Sequence, residues 1–168
     1  MVREKDNRWA RTVALCIALM LTFVQLSDVP VVNISIYSGA GISRVLYPFF
    51  HASWVHLLLN LWTFLCIVFY YRIRALSIII AYIIAISFPA DTLASLGAEL
   101  SSPTVGISGI CFALIADQSY LSANRVRFHL YMLPVLLCGF LFPQVNGWLH
   151  LYCYAMGLLF GYHSLVEE

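Results

Sequence analysis

The sequence predicts an all-α, polytopic membrane protein, a bundle of six transmembrane helices. Three observations carry that prediction. Of 168 residues, 62% are hydrophobic and 10% charged, whereas an ordinary soluble domain carries about 25% charged residues. The apolar residues gather into six runs, each near the span of about 17–25 residues that crosses a bilayer. The nine Lys and Arg residues are distributed unevenly between those runs. The same composition excludes other classes. Disordered chains are poor in aromatics and rich in charge, and here aromatics make up 15%. A formal net charge of +1 without a basic stripe gives nucleic acid nothing to bind.

The spans are expected near 10–27, 52–70, 75–90, 107–122, 128–142 and 148–165. The first is an apolar run from Val13 to Leu26 behind a basic start. A secretory signal peptide has the same plan. Here Gln25, Leu26, Ser27, Asp28 and Val29 fit a small-residue cleavage site poorly, so a retained helix is expected. A long outer loop, about 28–51, follows. The second span opens with HASWVHLLLN and the fourth with GISG. The third and fifth are short, and the fifth holds Pro134 and Gly139. The sixth begins GWLHLYCYAMG, after Pro143, Asn146 and Gly147. Six spans of about 20 residues use about 120 residues, so 1–168 is expected to be a single domain.

Orientation follows from positive charge, which stays on the cytoplasmic side. With the N-terminus inside, Arg3, Lys5, Arg8, Arg11, Arg72, Arg74, Arg125 and Arg127 are cytoplasmic and Arg44 alone is outside. Both termini are therefore expected in the cytoplasm. The short length without further domains suits a prokaryotic cytoplasmic membrane. Cys16, Cys66, Cys111, Cys138 and Cys153 fall in five different spans with no CxxC or Cys/His ligand spacing. They read as small apolar packing residues, not as a zinc site or a disulfide framework.

Polar groups inside hydrocarbon are costly and mark function by default. His51, His56 and Asn60 open the second span, Gly106, Ser108 and Gly109 the fourth, and His150 the sixth. These three spans all descend from the outer side. At 1.5 Å per residue, His56, Asn60, Ser108 and His150 share one depth just below the outer surface. His56 and Asn60, at i and i+4, lie on one helix face. Taken singly, each has an ordinary structural explanation: Gly and Ser pack between membrane helices, and Asn bonds across them. The constellation is what points to chemistry.

A serine hydroxyl needs a neighbouring base to become a nucleophile, and His150 is the base at that depth. Asp28, Asp91 and Glu99 lie in connections, and Asp117 is nine residues after Ser108, about 180° around the helix. A Ser–His dyad is the expectation. An oxyanion needs preplaced donors, and Asn60, His56 and the Ser108 backbone N–H offer them. Gly106 and Gly109 let backbone approach the serine closely. A metal or haem reading of His51, His56 and His150 is weak, because His51 and His56 project about 140° apart on a helix. No metal and no cofactor is expected. A transporter reading lacks a charged residue at the bilayer midplane. His129 and His163, near the inner ends, are assigned no chemistry.

These residues resemble the rhomboid family. HASWVHLLLN looks like its His-x4-His-x3-Asn motif. GISGICFAL looks like its Gly-x-Ser-Gly motif, with an aromatic residue, Phe112, four after the serine. His150 with Gly157 and Gly161 is similar to its last-helix histidine and glycine ladder. The resemblance covers roughly 44–162. It implies a rhomboid-like bundle and an intramembrane serine protease, with Ser108 as nucleophile and His150 as base, then acid. It implies His56, Asn60 and the Ser108 backbone as oxyanion hole and Phe112 packed on the His150 ring. The implied substrates are single-span membrane proteins, cut in or near the span at small residues, with the fifth helix and its following loop moving to admit them. A non-catalytic relative that only binds membrane helices is the alternative. Such relatives usually lack the serine or the histidine, and this chain has both. The chain departs from the pattern in four places. Ser43-Arg44 replaces a Trp-Arg pair, and Tyr70, Tyr71 and Arg72 stand where an acidic residue is common. Phe112 replaces a frequent Tyr. Tyr152 and Cys153 replace a small Gly, and their bulk is expected to hold the fourth and sixth helices apart.

Overall fold

A chain in lipid must satisfy its backbone internally, and a helix does so within one segment. The computed structural model is helical, with no strand among the described residues. It describes the backbone of residues 2–27, 29–31, 34–36, 41–71, 73–97 and 104–166, with side chains from 7 to 161. Arg72, Asp28 and Glu99, and the side chains of Arg3, Lys5 and His163, lie outside the described residues. The helices are α1 (Val2–Leu26), α2 (Gly41–Leu46), α3 (Trp54–Tyr70), α4 (Ala75–Ile86), α5 (Ala90–Ser95), α6 (Ser108–Gln118), α7 (Arg125–Leu141) and α8 (Gly147–Val166).

Local chemistry explains several ends. Ser53 caps α3 by accepting from the His56 backbone N–H at 3.1 Å, and Asn124 caps α7 by accepting from that of Arg127 at 2.9 Å. The third segment stops at Ile86, short of the expected 90, and a separate helix restarts after Pro89. Proline lacks the N–H needed to continue and disfavours helical geometry in the residue before it. The fourth segment is regular only to Gln118 and tightens into a 3-10 turn at Ser119–Leu121. Two helical stretches, Asn7–Leu26 and Ala75–Ser95, are long and apolar enough to cross a membrane. A third is the pair Gly41–Phe49 and Trp54–Tyr70, bent by 76°, if that pair counts as one.

Helix α6 is the centre of the bundle, with seven of its 11 residues buried. It packs on α8, α4 and α3, while α1 flanks α3 and α4, and α7 leans on α8. The outside is apolar: Phe23, Trp62, Val126 and Leu141 are each more than 70% exposed. A soluble protein rarely shows such a continuous apolar exterior, and lipid is its natural solvent. Arg44 of α2 pairs with Asp91 of α5, joining the two short helices.

Tyr152 and Cys153 do not hold α6 and α8 apart, contrary to the expectation from their bulk. Cys153 is fully buried, and its Sγ lies 3.1 Å from where Gly109 would carry a Cβ. The missing side chain on α6 makes room for the larger one on α8. Tyr152 turns toward α4, where its hydroxyl lies 3.0 Å from Ser87 Oγ and its ring 5.6 Å from Phe88. Further along, a Cβ at Gly157 would sit 2.3 Å from the Ala113 carbonyl oxygen, so the two backbones nearly touch.

Candidate active site

Asn146 starts α8. Its Oδ1 accepts from the Leu149 N–H at 2.9 Å, the usual duty of a helix cap. Its Nδ2 donates to Thr104 Oγ1 at 2.9 Å. One side chain thus begins α8 and ties it to the loop ahead of α6. That loop is pinned elsewhere too. Ile36 N–H donates to the Thr104 carbonyl at 3.2 Å, and Gly106 N–H donates to the Tyr47 carbonyl at 3.0 Å. Tyr47 is fully buried, and its hydroxyl donates to the Ala85 carbonyl at 2.8 Å. Gly106 has φ +106°, a conformation that glycine adopts without a Cβ clash. Two residues later the chain enters α6 at Ser108.

Ser108 Oγ and His150 Nε2 are 2.9 Å apart, within hydrogen-bond range. His150 is buried and Ser108 half-buried. The Phe112 ring stacks on the His150 ring, with centroids 4.3 Å apart and planes inclined by 24°. Gly139 of α7 comes so near that a Cβ there would be 3.4 Å from His150 Nδ1. The imidazole is therefore walled on one face and at its far nitrogen. Asp117 lies away from the pair, lining a cavity with Arg74.

Helix α3 presents two polar side chains to the loop before the serine. A Cβ at Gly106 would lie 3.2 Å from His56 Nε2 and 3.3 Å from Asn60 Nδ2. Asn60 is buried, and its amide donates one hydrogen to the His56 carbonyl at 3.1 Å. The second hydrogen is unused by that bond. His56 Nδ1 accepts from the Ala52 N–H at 3.4 Å. A ring whose Nδ1 accepts carries its proton on Nε2, the nitrogen beside Gly106. His51 is buried and lies edge-on to His56 at 5.2 Å. Neither of its ring nitrogens has a partner among the described residues.

The structure brings together Ser108, His150, His56, Asn60, Gly106 and Phe112. Gly109 faces Cys153 and serves the α6–α8 contact. His129 is elsewhere, bonded to the Tyr154 hydroxyl at 2.8 Å. Among the described residues, no group of three or more His, Cys, Asp or Glu is placed to hold a metal ion. Sequence reasoning missed the supports Asn146, Thr104 and Tyr47. Asn ahead of a helix start is a readable cap signal. Its second bond, to a residue 42 positions away, has no local signature.

An alcohol bonded to an imidazole nitrogen, with polar N–H groups close by, is a geometry suited to nucleophilic acyl chemistry. A family model, the Rhomboid domain, matches residues 40–166. No curated protein and no solved structure matches the chain.

Proposed function

The chain belongs to the rhomboid family, and on that premise we propose that it is an intramembrane serine endopeptidase working through a Ser108–His150 dyad. The observation that carries this reading is the 2.9 Å contact between Ser108 Oγ and His150 Nε2. As an integral membrane protein it meets its substrates in the bilayer. We take those to be single-span membrane proteins, cleaved in or near the span. A peptide bond in a helix is shielded, so the substrate must open locally before attack.

In the first step His150 Nε2 takes the Ser108 proton as the oxygen adds to the substrate carbonyl. The negative charge on the carbonyl oxygen is met by the Ser108 backbone N–H, His56 Nε2–H and the second Asn60 Nδ2–H. His150 then protonates the leaving amine, and an acyl-Ser108 ester remains. A water gives its proton to His150 and attacks the ester. Collapse of the second tetrahedral adduct releases the acid and returns the proton to Ser108. A carboxylate commonly orients the histidine in soluble triads. Here the Phe112 stack and the close approach of Gly139 hold the ring instead.

The reading extends to topology. Helices α1, α3, α4, α6, α7 and α8 serve as six spans of one domain, residues 1–168, with both termini in the cytoplasm and the dyad near the outer face. A prokaryotic cytoplasmic membrane suits this plan. Helix α6, about 17 Å long, is shorter than the hydrocarbon core of about 30 Å and depends on its neighbours for cover. Helix α7 has two buried residues in 17 and an internal Pro134. It is the most weakly held wall beside His150 and the natural gate for substrate.

The test is a fluorophosphonate probe on the purified protein, on Ser108→Ala and on His150→Ala. The parent is expected to label and both variants to stay unlabelled, each with an unfolding temperature near that of the parent. A folded parent that does not label overturns the reading and leaves a non-catalytic binder of membrane helices.

A further inference from the structure

The cavity that Asp117 and Arg74 line lies toward the opposite end of α6 from Ser108, between α4 and α8 with α6 as its floor. Its volume is about 310 Å³, at the low end of small-molecule sites, roughly 300–1,000 Å³. On α4 its lining runs from Arg74 to Ile84. Ten residues of helix span about 15 Å, which is half of a hydrocarbon core of about 30 Å. The cavity is thus one leaflet deep. Its polarity is sorted along that depth. Arg74, Ser77 and Asp117 lie where α4 begins and α6 ends, with Arg74 exposed, and Ile84 and Leu114, further along the two helices, are buried. Leu76 and Phe160 flank it and are 57% and 45% exposed, so the groove opens sideways to lipid.

The mouth carries both signs of charge. Arg74 is exposed just ahead of α4, while Asp117 is half-buried at the end of α6. Both side chains line the groove, and no ion pair joins them among the described residues. Asp117 Oδ2 accepts from Gln118 Nε2 at 2.8 Å. A half-buried carboxylate retains a desolvation cost that a cation offsets. A guanidinium with a free fork suits a phosphate.

We propose that this groove binds one phospholipid of the leaflet remote from Ser108, with an aminoethyl phosphate headgroup. The phosphate sits on Arg74, the primary ammonium donates to Asp117, and one acyl chain fills the apolar interior. A choline headgroup has no N–H to give Asp117, and a glycerol headgroup has no cation. The site therefore selects phosphatidylethanolamine over both. The inference rests on the membrane setting and is independent of catalysis.

The full chain is reconstituted in vesicles with equal parts phosphatidylethanolamine, phosphatidylcholine and phosphatidylglycerol. After extraction in mild detergent, the co-purifying lipids are counted by mass spectrometry. Phosphatidylethanolamine is expected to be enriched severalfold over its bulk share. Asp117→Asn, nearly isosteric, is expected to erase its advantage over phosphatidylglycerol. Arg74→Gln lowers retention of all three lipids, and Ser77→Phe closes the mouth with the same effect. Unfolding temperatures within a few degrees of the parent certify each variant. Recovery in the bulk ratio, equal enrichment of phosphatidylglycerol, or an unchanged preference in Asp117→Asn overturns the proposal.

Discussion

Asn146 Nδ2 donates to Thr104 Oγ1 at 2.9 Å, fastening the helix that carries His150 to the loop that delivers Ser108. The dyad distance is set across two separate chain segments, and this bond bridges them close to the reacting atoms.

Replacing Asn146 separates two roles. Asn146→Ala removes both the α8 cap and the tie to Thr104. Loss of a cap costs about 0.5–2 kcal/mol, and displacement of a catalytic group by about 1 Å can cost about 100-fold. A lower unfolding temperature and a ten- to hundredfold slower reaction with the fluorophosphonate are expected, as an order of magnitude. Asn146→Asp keeps an acceptor for the Leu149 N–H and loses the donor to Thr104. It is expected to restore stability and not rate. If Asn146→Asp reacts as fast as the parent, the tie has no part in positioning the dyad.

Asn60→Ala tests the oxyanion hole. Removing one such donor costs about 10²–10³ in rate in a soluble serine protease. In the proposed mechanism His56 Nε2–H and the Ser108 N–H share the charge, so a fall in kcat of about ten- to hundredfold is expected, with KM little changed. Cleavage of a single-span substrate in proteoliposomes measures both constants. An unaltered kcat takes Asn60 out of the hole.

Much of this site was legible in the sequence because its signals are local. His56 and Asn60 fall on one helix face by spacing, and Phe112 follows Ser108 by one turn. Helical rise along the expected spans put Ser108 and His150 at one level, and the two side chains lie 2.9 Å apart. What was not legible depends on partners far away in the chain. Gly106 N–H bonds to the Tyr47 carbonyl, and no spacing rule links those positions. Cys153 looks too large when read alone, because its complement, Gly109, lies on another helix. The end of α4 depended on Pro89, whose effect reaches back to the residues before it. The length of α6 was overestimated because Tyr120 and Leu121 prolong the run in sequence, whereas the chain leaves the α-helix at Gln118 and tightens into a 3-10 turn.

Phe112 stacks on His150 at 4.3 Å, and in the proposed mechanism this contact fixes the ring in place of a carboxylate. Aromatic pairs contribute about 0.5–1.5 kcal/mol beyond burial, which is about two- to tenfold in rate if all of it orients the base. Phe112→Ala is expected to slow fluorophosphonate labelling by that factor, and Phe112→Tyr, which keeps the ring, to leave it near the parent. Equal rates for the alanine and tyrosine variants would show that the ring is held by something else.

Gly157 supports the site from a distance. A Cβ there would lie 2.3 Å from the Ala113 carbonyl oxygen, and that atom is backbone, so no rotamer change relieves the clash. The helices must separate, and overpacking of this kind costs about 1–3 kcal/mol. Because α6 carries Ser108 and α8 carries His150, separation also lengthens the dyad contact. Gly157→Ala is therefore expected to lower the unfolding temperature and the labelling rate together. Gly41→Ala is the control, since nothing lies within 4 Å of a Cβ at Gly41. It is expected to match the parent in both measurements. If Gly157→Ala matches it too, the close approach of α6 and α8 is not what holds serine and histidine together.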